Sequence, residues 1–143
     1  MFKANTINHY KDISKEYLLL WIRESIKKMH KDLNLEDSEF KHIDTLMNAS
    51  TQNIVTIAEI RREAFKLHQK ARSSIDLTHK LLYRIYGQSL SIIHVKTHAF
   101  HAANYILKLY KLYDKDVKLV YENQVENLES AYQVTYKKLD DII

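Results

Sequence analysis

The chain of 143 residues contains no cysteine, no proline and a single glycine, Gly87. Without cysteine it has no disulfide, no zinc–thiolate site and no thiol nucleophile, which suits a reducing compartment. Tight β-hairpin turns depend on glycine or Asn-Gly pairs, so the composition argues against a β-rich fold. A phosphate-binding loop needs several glycines and is excluded as well.

Long apolar runs are also absent. The longest, from Tyr17 to Ile22, has six residues, whereas a membrane-spanning helix needs about 20. The first residues, Met1 to Thr6, lack the apolar centre of a secretory signal. These features predict a cytoplasmic protein that has no contact with a membrane.

The remaining composition is that of an ordinary globular protein, with 45% hydrophobic and 28% charged residues. This length predicts one domain over residues 1–143. The net charge is +4, but lysines and arginines alternate with acids instead of forming a basic face. A nucleic-acid-binding helical module is therefore the less favoured interpretation, and we expect no nucleic-acid partner.

Apolar residues at 3–4 spacing predict an all-α bundle of about six helices with no β-sheet. The predicted helices cover roughly residues 12–31, 40–47, 57–75, 75–92, 97–113 and 117–142. The stripe of the last one includes Thr135, Leu139 and Ile142.

Polar residues predict where these helices meet. The segment 48–53, which is rich in Ser, Thr, Asn and Gln, is predicted as a loop. Ser73 and Asp76 have the spacing of a capping box, which would start a helix near Ile75. A continuous helix from there to Tyr113 would be unusually long. We therefore predict a break near residues 94–97, with Thr97 or a neighbour as a cap.

Three histidines at the i, i+4 and i+7 spacing, His94, His98 and His101, begin in this break and continue past it. Histidines four residues apart on a helix can chelate zinc, copper or nickel. The row borders the apolar stripe, so the favoured interpretation is half-buried rings hydrogen-bonded to the backbone of a neighbouring helix. The alternative is a metal site completed by another ligand, for which His68 and His79 are candidates.

Further residues point to packing and not to chemistry. Ala99, Ala102 and Ala103 would let another helix approach closely, and Gln124 on the last apolar stripe predicts a buried hydrogen bond that fixes helix register. The His-Glu-x-x-His pattern of metalloproteases, nucleophile elbows and dinucleotide fingerprints are all missing. We expect no enzyme activity and no cofactor.

Several short segments occur in an order that resembles the Imm-5-like family of bacterial immunity proteins. They are Leu20-Trp21-Ile22-Arg23-Glu24, the segment from Arg61-Arg62 to His68, Gly87-Gln88 followed by His94-Val95-Lys96-Thr97-His98-Ala99, and Glu122-Asn123-Gln124. The chain departs from the family pattern at three positions: Lys96, Asn123 and Glu129 stand where relatives often have proline, tryptophan and proline.

The resemblance implies a non-enzymatic helical protein that binds a cognate toxin and covers its working surface. The residues it singles out are Trp21, Glu24, His68, His94, His98, Glu122 and Gln124. A basic inhibitor suits an acidic partner surface. Aromatic residues on the first and last helices would also allow a homodimer. The alternative function is a metal-dependent enzyme or metal-binding protein that uses His94, His98 and His101.

Overall fold

The computed structural model describes the backbone of residues 1–142 and the side chains of residues 1–133. Within that range the chain is all-helical and has no strand, as predicted. The helices are α1 (Ala4–His9), α2 (Lys15–Asp32), α3 (Ser38–Thr51), α4 (Ile57–Ser73), α5 (Leu77–Leu90), α6 (His98–Leu112) and α7 (Val117–Ile142). The predicted stripe positions Thr135, Leu139 and Ile142 lie outside the described side chains.

One helix of the structure, the short α1, is missing from the sequence prediction. It has six residues, and its N-cap Lys3 makes no side-chain hydrogen bond, so neither periodicity nor a cap marks it. Tertiary contacts hold it in place. The N–H of Phe2 donates to Asn104 Oδ1 at 2.8 Å, and Asn104 Nδ2 donates to the Phe2 carbonyl at 3.0 Å. The Phe2 ring is buried against Trp21 and Phe100.

Side-chain caps start most of the longer helices. The N–H of Tyr17 donates to Ser14 at the start of α2, and Thr56 forms a reciprocal capping box with Glu59 at the start of α4. The predicted capping box from Ser73 to Asp76 is wrong. Ser73 is the last residue of α4, and Asp76 alone caps α5 by accepting from the N–H of His79. The Ser73 hydroxyl donates to the carbonyls of Gln69 and Lys70 within α4, so it does not cap the next helix.

Three helices end in a left-handed residue that is not glycine. Asn34, Asn53 and Asp114 have φ angles of 52°, 57° and 55° at the ends of α2, α3 and α6. At each end, the two N–H groups that follow the cap bond back to the last turn of the helix, which is the Schellman arrangement. Asparagine and aspartate tolerate this conformation better than other side chains. The chain therefore reverses direction without glycine or proline.

Two predicted breaks differ in outcome. The predicted loop at 48–53 is wrong over its first four residues, because α3 continues to Thr51. The hydroxyls of Ser50 and Thr51 bond to the carbonyls of Met47 and Asn48 within the helix instead of disrupting it. The predicted break after α5 is confirmed as a 3₁₀ turn, Ser91–Ile93, followed by residues 94–97. Thr97 precedes α6 but makes no side-chain cap.

The helices pack around α2, α5 and α6. The most extensive contacts join α4 to α5 and α5 to α6, while α7 packs against α2 and α6. Ala99, Ala102 and Ala103 are fully buried and allow the close approach that the sequence predicted. Elsewhere in the core, the rings of His30, Phe40 and Tyr86 form a cluster with centroids 5.7–6.1 Å apart. His30 Nε2 accepts from the Tyr86 hydroxyl at 2.9 Å, and burial lowers the pKa of this histidine.

Candidate functional site

The largest cavity described is a groove of about 580 Å³ between α2, α6 and α7. Its walls are mainly apolar. Leu20 and Trp21 come from α2, Ile106 and Tyr110 from α6, and Val120 from α7. This groove exists because α7 packs across α6, which directly precedes it in the chain, and across α2, which is distant in sequence.

Trp21 connects the α2 wall of the groove to the α7 wall. It is buried, and its indole Nε1–H donates to the backbone carbonyl of Gln124 at 3.0 Å. The edge of its ring contacts Phe2 at a centroid distance of 5.5 Å, and Phe100 lies at 5.7 Å. The indole therefore fixes α2 against α7 and packs both against the N-terminal segment.

Gln124 lies in the same wall and is 4% exposed. Its Nε2 donates to the Ala103 carbonyl of α6 at 3.4 Å, which agrees with the predicted bond that fixes helix register. Its Oε1 is different: among the described residues this buried oxygen has no hydrogen-bond partner. Buried polar atoms are nearly always paired in folded proteins, so this oxygen stands out.

The rim of the groove carries charges that are already paired. Glu24 accepts from Lys27 at 3.3 Å, and Lys28 pairs with Asp32 at 2.9 Å. Asp32 also accepts from the Tyr110 hydroxyl at 2.7 Å. Amides of Asn123 and Asn127 complete the rim. The entrance is thus polar, with opposite charges balanced beside each other.

The histidine row lies on another face and is divided by the break before α6. His94 is exposed in the turn, whereas His98 and His101 occupy the first turn of α6 with ring centroids 6.0 Å apart. His98 is half-buried, as predicted, but Nδ1 bonds to the Gln88 side-chain carbonyl at 2.6 Å and not to a backbone group. Burial, and then the neighbouring His101 and His94, lower the pKa of His98.

His68 reaches the same area from α4. Its Nδ1 accepts from the Arg84 guanidinium at 2.8 Å, and its ring lies directly against Gly87, where a Cβ atom would be 2.8 Å from Cε1 and Nε2. Burial lowers the pKa of His68, and the charges of Arg84 and Arg72 add to the effect. A cationic neighbour in contact with the ring is the opposite of what a metal ligand requires.

The metal interpretation of the histidine row therefore finds no support in the geometry. Among the described side chains, no three His, Cys, Asp or Glu residues are arranged to hold a metal ion. His79, the other candidate ligand, is exposed at the start of α5 and bonds to Asp76.

The residues that the family resemblance singled out fall into separate places. Trp21, Glu24 and Gln124 line the groove. His68 and His98 lie near each other beside Gly87 and Gln88, whereas His94 and Glu122 are exposed.

Sequence reasoning did not identify the groove itself. One signal was available, because Val120, Gln124, Asn127 and Ala131 follow one another at 3–4 spacing and carry two amides on an otherwise apolar row. A row of this kind marks a helix face that is not wholly committed to the core. Leu20, which is half-exposed at the groove, was not singled out either.

The described residues form an all-helical domain with a large, mainly apolar groove, and these two features define its structural class. The sequence model of the family described as "Imm-5 like putative immunity protein" matches residues 8–131. The chain belongs to this family. No curated protein and no solved structure matches it. None of the described helices combines the length and the apolar character needed to cross a membrane.

Proposed function

We propose that this protein is a cytoplasmic bacterial immunity protein that binds a cognate toxin and neutralises it by covering the toxin's working surface. The observation that supports this most directly is the position of Trp21, Glu24 and Gln124. These residues carry the family resemblance, come from helices about 100 residues apart, and line one groove. The mechanism needs no catalysis by this chain, because occupying the toxin's surface is sufficient.

The groove has the anatomy of a protein-binding surface. Its floor is apolar and aromatic, and its rim carries amides and balanced charges, as in the centre and edge of protein interfaces. Leu20 is 51% exposed at this groove, so an apolar side chain is available before any partner arrives. The net charge of +4 favours a toxin whose contacting face is acidic, mainly by speeding encounter.

The test pairs two leucines of equal exposure. Leu20 is 51% exposed at the groove, and Leu77 is 49% exposed at the start of α5. In a bacterial host, the product of the neighbouring gene is expressed as the toxin candidate, with the wild-type chain, Leu20→Glu or Leu77→Glu. We expect growth with the wild-type chain and with Leu77→Glu, and loss of protection with Leu20→Glu, because the glutamate would be desolvated in an apolar contact.

Binding is measured on the purified pair by calorimetry. Leu20→Glu should weaken the complex by roughly 30-fold or more, the effect of losing a central contact, and Leu77→Glu should leave it unchanged. Failure of the wild-type chain to protect would refute the proposed function with this toxin. Equal protection by both variants would show that the toxin binds a surface other than the groove. A dimer that Leu20→Glu dissociates would instead make a second copy the occupant.

A further inference from the structure

The groove contains one polar atom whose needs are not met by the protein itself. Gln124 Oε1 is buried and has no hydrogen-bond partner among the described residues. The amide nitrogen of the same side chain donates to the Ala103 carbonyl. Rotating the amide by 180° would not remove the problem, because it would leave a buried donor without a partner in place of the acceptor. An oxygen that has lost its hydration in this way is an open acceptor for an incoming donor.

Three donor groups of the groove lining are already in use. Trp21 Nε1–H donates to the Gln124 backbone carbonyl, and the Tyr110 hydroxyl donates to Asp32. The Ser25 hydroxyl donates to the Trp21 carbonyl, within its own helix. These groups therefore have no hydrogen left for an acceptor on a ligand. Among the buried residues of the lining, the polar side chains of Trp21, Tyr110 and Gln124 therefore leave one acceptor open and no donor atom without a partner.

The charges at the groove also limit the occupant. Glu24 and Lys28, the charged side chains among its described lining, are each paired with a neighbour on α2. No unpaired charge remains there to compensate an ion brought in by a ligand, and desolvating an uncompensated ion is costly. The occupant is thus a neutral group.

We infer that the groove receives the indole ring of a tryptophan carried by the toxin, with the indole N–H donating to Gln124 Oε1. Among protein side chains, indole donates a hydrogen bond, accepts none and carries no charge, whereas a hydroxyl also brings an acceptor, and lysine and arginine bring a charge. The volume of about 580 Å³ accommodates such a ring. Because Oε1 is buried in the free protein, the side chains that cover it have to move aside as the ring enters.

The source of the indole rests on the proposed function, but the chemistry of the groove can be tested without a toxin. The probes are indole and benzofuran, which have nearly the same shape, while benzofuran has an oxygen in place of the N–H. Trp21 is the only tryptophan, so its own side-chain N–H gives a single NMR signal next to Gln124. Titrations that follow this signal measure the affinity of both probes at the groove.

Wild-type protein should bind indole about five- to tenfold more tightly than benzofuran, the effect of one neutral hydrogen bond. Gln124→Met, which keeps the volume and removes the acceptor, should bring that ratio close to one. Gln69→Met makes the same chemical change at an exposed site on α4 and should leave the ratio unchanged. Leu20→Ala should weaken both probes alike. If Gln124→Met does not fold, the comparison of the two probes on wild-type protein still decides.

Equal affinities for the two probes on the wild-type protein, or no shift of the Trp21 signal with either, would overturn the inference. These outcomes are separate from the toxin experiment. Protection without indole preference would leave the proposed function in place and reject the tryptophan anchor. Indole preference without protection against any toxin candidate would support the chemistry of the groove and reject the toxin as its source.

Discussion

Replacing Gly87 with alanine sets two opposing effects against each other. Gly87 lies inside α5, where glycine is about 1 kcal/mol less favourable than alanine because the unfolded backbone has more freedom to lose. Alanine should therefore stabilise the helix. Its Cβ, however, would lie 2.8 Å from two ring atoms of His68, closer than carbon and nitrogen atoms can pack, so the imidazole would have to move.

The movement has a definite cost. The His68 ring is held by the 2.8 Å hydrogen bond from Arg84, and forcing an extra carbon into a packed site costs about 1–3 kcal/mol. After the gain in helix propensity, Gly87→Ala should lower the free energy of unfolding by about 0–2 kcal/mol. With His68→Ala already present, the collision is gone, and the same change should stabilise by about 1 kcal/mol. The coupling between the two positions is then about 1–3 kcal/mol.

Urea unfolding followed by circular dichroism, on the wild type, both single variants and the double variant, measures this coupling. The measurement belongs near neutral pH, where a lowered pKa keeps His68 uncharged. An increase in stability from Gly87→Ala of the same size in both backgrounds would refute the reasoning. It would mean that the protein accommodates the alanine Cβ without displacing His68, so that the position of the imidazole does not depend on glycine at position 87.

Two further predictions concern pH and helix capping. Burial lowers the pKa of His30, His68 and His98. The unfolded chain therefore binds protons at these side chains more tightly than the folded protein does, so the free energy of unfolding decreases as the pH falls. The melting temperature should be constant above about pH 7 and fall from about pH 6.5 to 5; a constant value throughout would contradict this. Asp76→Ala should lower the urea midpoint because it removes the cap of α5, whereas Ser73→Ala should not; a larger loss with Ser73→Ala would reverse this assignment.

The longer helices could be predicted from sequence because their signals are local. The 3–4 stripe of α4 and the break before α6 depend on residues within a few turns of each other, and both appear in the structure where expected. The short helix α1 has no such signal. It is held by Phe2 and Asn104, which are 102 positions apart, and no local pattern records a contact over that distance.

The groove shows the same limit. Trp21 and Gln124 could each be singled out in the sequence, but they are 103 positions apart, and only the packing of α7 on α2 brings them together. The histidines illustrate the converse. Their spacing was evident, yet the partners that decide their chemistry, Arg84 for His68 and Gln88 for His98, come from α5. A regular spacing identified the residues and did not identify their surroundings.

The three Schellman turns bear on how this sequence can change over generations. Asn34, Asn53 and Asp114 have left-handed backbone conformations. Glycine adopts this conformation without strain, so a mutation to glycine at any of the three would preserve the Schellman turn. Gly87 has no comparable freedom, because the space left by its missing side chain is filled by His68. A lineage of this protein would therefore gain glycines readily at its helix ends, and would lose the one it has only together with the imidazole beside it.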